Sequence, residues 1–151
     1  MTSSQTYQKL TQENLEEHKQ IHFYLDQIMV SVEALDATSQ DVGPMRRLAA
    51  QIQSLRERII EHQQEEEQGR LFPSILEALP EARDELLTLR QQHQKMLEVL
   101  EMARIHAEHG QPSEVGDLKI DLQHFLNVIR EHEHTEERLL ERAMQREKQS
   151  G

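Results

Sequence analysis

The chain contains no cysteine and no tryptophan, and aromatic residues fill only 3 % of its 151 positions. Without cysteine it has no disulfide, no thiolate zinc site, no iron–sulfur cluster and no thiol nucleophile. Any metal it holds must therefore sit on histidine and carboxylate. Five glycines and four prolines leave long stretches unbroken, and the dominance of Leu, Glu, Gln, Arg and Ala favours helix over sheet. No block of lysine or arginine is present, and the formal net charge is −11, which argues against a nucleic-acid or anionic-membrane partner. No window approaches the roughly 18 consecutive apolar residues of a membrane span, and MTSSQTYQKL has neither the basic start nor the apolar run of a signal peptide. A cytoplasmic location is the expectation. HExxH spacing, a phosphate-binding glycine loop and a Ser/His/Asp set are also missing.

What remains suits one domain with one core. Residues 1–10 are polar and without sustained period, and they read as a flexible N-terminal arm. Residues 11–147 carry four long helical patterns. The first runs from Thr11, a plausible N-cap, to about Ala37 and is closed by TSQDVGP. The second runs from Pro44 to about Gln68. Gly69, Pro73 and Pro80 then demand a bend, with a short helical turn from Pro73 to Leu79. The third runs from Glu81 to Glu108, stopped by HGQPS, and the fourth from Glu114 to Glu147. Short connections after the first and third make neighbours antiparallel. The expected fold is all-α, an up-down-up-down four-helix bundle with a di-metal site in its core, the first helix paired with the second and the third with the fourth.

The metal expectation comes from the seams, the rows of residues at alternating steps of three and four that pack a bundle. Leu118, Leu122, Phe125, Ile129, His132, Glu136 and Leu139 form such a row, and so do Leu48, Ile52, Leu55, Ile59, His62 and Glu66. Each places an HxxxE pair where packing would ordinarily put aliphatics. The other two seams, His18 to Leu35 and Leu86 to Ala107, each carry one inward histidine, His18 and His93. Counted from the end with the short loops, the four histidines lie about 16 to 19 residues along their helices, a spread of roughly 5 Å. All four imidazoles then share one layer, which Glu66 and Glu136 reach from one turn away. Four imidazoles and two carboxylates suit iron, manganese or zinc rather than calcium or magnesium. Six groups are too many for one tetrahedral zinc. Two irons sharing both glutamates, with two histidines each, would use all six and leave room for a bridging oxo, hydroxo or solvent group.

The order H, HxxxE, H, HxxxE at His18, His62–Glu66, His93 and His132–Glu136, with LFP following the first pair, resembles the hemerythrin-like (HHE cation-binding) family over residues 11–142. That resemblance implies a hemerythrin-like bundle with two iron ions, Fe2+ or Fe3+, held by those six residues. It departs from oxygen-carrying members in having Leu97 where they have a second third-helix histidine; His22, one turn after His18, offers an extra imidazole. His134, Glu65, Glu67, Glu133 and Glu137 lie off the seams and read as solvated. A ferritin-like site needs two ExxH motifs, and only Glu131 to His134 fits.

Three functions follow as expectations. The first is a di-iron protein that binds or reacts with small oxidants (O2, peroxide or nitric oxide) in oxidative or nitrosative stress response, with catalase-like or nitric oxide turnover as its enzymatic form. The second is a reversible O2 carrier or sensor. The third is a metal-free helical interaction protein, suggested by the acidic surface. The sequence leaves the oligomeric state open.

Overall fold

The computed structural model describes residues 3–36, 38 and 41–150. Among them α1 spans Ser3–Glu33, α2 Gly43–Gln68, α3 Leu71–Ala78, α4 Arg83–His109 and α5 Val115–Ser150, with 3-10 turns at Pro80–Ala82 and Pro112–Glu114. There is no strand among the described residues. The breaks fall at the residues whose chemistry forces them. At Gly69 an added Cβ would lie 2.3 Å from the Glu65 carbonyl oxygen, so only glycine lets the chain leave α2 there. Gly110 closes α4 in the left-handed region, at φ 66°. Pro44 sits in the first turn of α2 and Pro80 opens the turn before α4.

The start of α1 corrects the sequence reading. Residues 3–10 are not a flexible arm but the first turns of the helix, and Met1 and Thr2 lie outside the described residues. Tyr7 and Leu10 are buried, and with Asn14, His18 and Ile21 they continue the seam in steps of three and four. Thr11 caps nothing; its hydroxyl donates to the Tyr7 carbonyl one turn back, at 2.8 Å, as threonines inside helices do. The Tyr7 hydroxyl donates to the Ser74 carbonyl at 2.5 Å and ties α1 to α3. At its other end α1 stops at Glu33, short of the expected Ala37, which lies outside the described residues. Asp36 instead accepts from the backbone N–H and hydroxyl of Thr38, a turn that competes with further helix.

Cross-helix contacts fix the topology. Glu17 meets His62 and Gln20 meets Arg58 between α1 and α2; Glu67 meets His93 and Arg56 meets Glu101 between α2 and α4. Gln92 meets His132 and Glu85 meets Arg142 between α4 and α5; His18 meets Glu136 and His22 meets Glu133 between α5 and α1. In each pairing higher numbers on one helix face lower numbers on the next, so all four neighbours are antiparallel. Besides α1 with α2 and α4 with α5, the bundle closes through α2 with α4 and α1 with α5. No described helix is long and apolar enough to cross a membrane.

The apolar core is in two parts. One cluster, around Ile21, Leu25, Ile52, Ile59, Leu100, Leu122 and Phe125, fills the end with the short loops. The other, around Tyr7, Leu10, Phe72, Ile75, Leu89, Leu139 and Leu140, fills the end that α3 covers. Along α1, α2, α4 and α5 the gap between the two clusters falls at the same level, and the histidines and glutamates occupy it.

Candidate metal centre

Every seam residue that carries metal-capable chemistry is buried: His18, His62, Glu66, His93, His132 and Glu136, with Glu136 at 0 % exposure. The structure gathers all six into two overlapping sets. His18, His62 and Glu66 form one; Glu66, His93, His132 and Glu136 form the other, and within each set one ligand-capable atom per residue lies within 4.8 Å of the rest. Glu66 belongs to both. Its Oε1 contacts His62 Nε2, while its Oε2 lies 3.4 Å from His93 Nε2 and 3.8 Å from His132 Nε2. Glu136 spans the same divide, with Oε1 3.1 Å from His18 Nε2 and Oε2 3.2 Å from His132 Nε2. All four histidines therefore turn Nε2 towards the centre.

Their Nδ1 atoms turn outward, and the partners they meet follow a rule. Glu17 on α1 accepts from His62 on α2 at 2.5 Å, and Glu67 on α2 accepts from His93 on α4 at 3.0 Å. Gln92 on α4 accepts from His132 on α5 at 2.9 Å, and Glu133 on α5 lies 3.5 Å from Nδ1 of His18 on α1. Each helix thus supports the histidine of the next one round the bundle, and the ring closes. Glu17 and Gln92 precede an inward residue, whereas Glu67 and Glu133 follow one. A neighbour in sequence stands about 100° round the helix, and because alternate helices run in opposite directions, the two offsets turn to the same side of the bundle.

The expectation that Glu67 and Glu133 are solvated is thereby overturned: Glu133 is buried and Glu67 half-buried, each held by an imidazole. Glu65, Glu137 and His134 are exposed, as expected. Glu17 and Gln92 were not singled out from the sequence. Their signal was adjacency to His18 and His93 together with a side chain able to accept a hydrogen bond. His22 is outside both sets; its Nε2 meets Glu133 Oε1 at 2.6 Å, so it steadies the partner of His18. The LFP segment also has a local purpose, since Phe72 stacks on the His93 ring at 5.6 Å with the planes 12° apart. Tyr24 is half-exposed under Arg58, and Tyr7 is tied to Ser74, so neither reaches the centre.

The electrostatics divide along the same lines. Burial pushes His18 and His132 below the ordinary histidine value, towards neutral imidazole. Burial acts in the same sense on His62, but the hydrogen-bonded carboxylates of Glu17 and Glu66 outweigh it and raise that group to about 10. Glu66 is buried too, yet contacts from His132, His62 and His93 hold its carboxyl well below the usual range. The centre thus retains ionised carboxylate in the core.

Cation-binding fits this donor set. Both oxygens of Glu66 and Oε2 of Glu136 are buried without a hydrogen-bond partner, although imidazole nitrogens lie against them. Orphaned carboxylate oxygens are expensive in a core. Nitrogen and oxygen lone pairs converging on common points are what a cation would satisfy. Comparison with protein-family models, with curated proteins and with solved structures returns no match for the chain.

Proposed function

We propose that the chain is a non-haem di-iron protein of the hemerythrin-like kind that reacts with small oxidants such as O2, hydrogen peroxide or nitric oxide, in oxidative or nitrosative stress response in the cytoplasm. The observation that carries this reading is the sharing of Glu66 between two buried histidine sets, an arrangement that suits a pair of neighbouring cations. His18 and His62 would hold one ion and His93 and His132 the other, with Glu66 and Glu136 common to both. Bound iron would supply a redox-active centre with coordination positions that the protein leaves open.

The rest of the chemistry is the protein's own. Glu17, Glu67, Gln92 and Glu133 hold the imidazoles with Nε2 inward, which removes the rotational freedom that would otherwise oppose binding. The apolar clusters above and below the layer close off its two ends and favour small, weakly polar reactants. Leu97, half-buried against the larger cluster, offers no imidazole where an oxygen carrier would have one. That favours turnover over storage. The test is to mix the reduced, iron-loaded protein in turn with O2, peroxide and nitric oxide. Catalytic consumption of peroxide or nitric oxide that is lost in His62→Ala supports the proposal; a long-lived, fully reversible oxygen adduct makes the protein a carrier instead.

A further inference from the structure

Two surface clefts on the face between α1 and α2 lead to members of the buried centre. One, of about 250 Å3, lies between α1 and the α2–α3 junction, and among its lining residues are Glu13, Asn14, Glu17, Glu65 and Glu66. The other, of about 190 Å3, is lined by Glu17, Glu61, Glu65 and His62, among others. Glu17 and Glu65 are common to both. Glu13 and Glu17 stand one turn apart on α1, as Glu61 and Glu65 do on α2, so four carboxylates border the shared mouth. The first cleft ends on Glu66, a side chain 3 % exposed whose two oxygens lack a hydrogen-bond partner. The second ends on His62, in the same set as Glu66.

We infer that this acidic mouth is the port through which a divalent cation reaches the centre, with the exposed carboxylates of Glu13 and Glu65 capturing the hydrated ion and Glu17 and Glu66 receiving it as water is shed. The inference rests on the proposed metal site, and adds the route to it. Carboxylates replace water around such an ion with ligands of similar hardness, so dehydration proceeds in steps. A cleft lined by one sign of charge raises the capture rate of the opposite sign. The cations nearby offset this only in part. Lys9 lies 3.9 Å from Glu13, Arg70 lines the first cleft beside three surface glutamates, and Arg58 lines the second beside three, its guanidinium also donating to Gln20 and lying over the Tyr24 ring. From the mouth the ion would first meet His18, His62 and Glu66, so that set fills first and Glu66 delivers to the second.

The test is the rate of Co2+ loading into metal-free protein, followed by stopped-flow absorption, alongside the amount bound at equilibrium. Glu13→Gln with Glu65→Gln should load about three- to tenfold more slowly at low salt. Release should slow by the same factor, and the final amount and affinity should not change. Salt should slow the wild-type protein more than this variant, and Glu98→Gln on α4 should load at close to the wild-type rate. Loading of the double variant at the wild-type rate would overturn the port while leaving the metal site standing, and so would equal slowing by Glu98→Gln. Failure of wild-type protein to take up Co2+ at all would overturn both.

Discussion

The Nε2 atoms of His93 and His132 face each other at 3.0 Å, although the Nδ1 of each already has an acceptor, Glu67 for one and Gln92 for the other. A neutral imidazole has one N–H to give. With that proton fixed on Nδ1 by an outer acceptor, two lone pairs meet in the core, and a cation between them turns repulsion into attraction.

Removing the outer acceptor should therefore weaken binding without abolishing it. Glu67→Ala and Glu133→Ala are each expected to lower metal affinity by roughly 10- to 100-fold while keeping the full complement at saturating metal. Competition against a chelator of known affinity checks this, and unchanged affinity would mean that the ring of helix-to-helix support is incidental.

His22 touches the centre only through Glu133, so His22→Ala should retain all the bound metal and reduce affinity less than Glu133→Ala does. Metal analysis after dialysis measures it. Loss of one equivalent would make His22 a ligand.

The pH dependence has two opposing parts. In the metal-free protein His62 has a folded value, about 10, above its unfolded one; its stabilising contribution is complete below about pH 6.5 and is lost as pH rises through about 10. His18 and His132 are displaced downward by burial, so near and below pH 6.5 the unfolded chain binds more protons and stability falls with falling pH. A metal must displace the proton from His62, and at pH 7.5 binding should release about one proton from that group. Calorimetry in buffers of different ionisation enthalpy would show it, and His62→Ala should remove the effect.

Leu10 tests the beginning of α1. If residues 3–10 are structural, Leu10→Ala should destabilise the protein by about 2–3 kcal/mol, a fall of roughly 5–10 °C in Tm. A change within error in thermal unfolding would return this segment to the status of an arm.

The seams were legible in the sequence because a core position is decided mainly by burial, and burial follows the helical period. His18, His62, His93 and His132 could be placed in one layer by counting from the loops, and all four are there. The beginning of α1 was less legible, since its polar residues outnumber Tyr7 and Leu10 and its apolar partners lie some 60 to 130 residues away, in α3 and α5. The roles of Glu67 and Glu133 were hidden for a related reason. A residue beside a seam faces the neighbouring helix, and whether it meets water or an imidazole depends on how tightly and at what rotation that neighbour packs. The cleft that ends on Glu66 likewise depends on the departure of the chain at Gly69, which periodicity does not specify in three dimensions.

The number of ions bound tests the di-metal centre most directly. Metal-free protein titrated anaerobically with Fe2+, separated from unbound metal and analysed, should hold about two ions per chain in the wild type and about one in His132→Ala, as expected if each imidazole pair serves its own ion. Loading should also raise Tm by roughly 5–10 °C at a hundredfold excess over the dissociation constant, because only the folded chain brings the six groups together. Binding well below one ion per chain, or the same amount in wild type and in the variant, would contradict the di-metal centre.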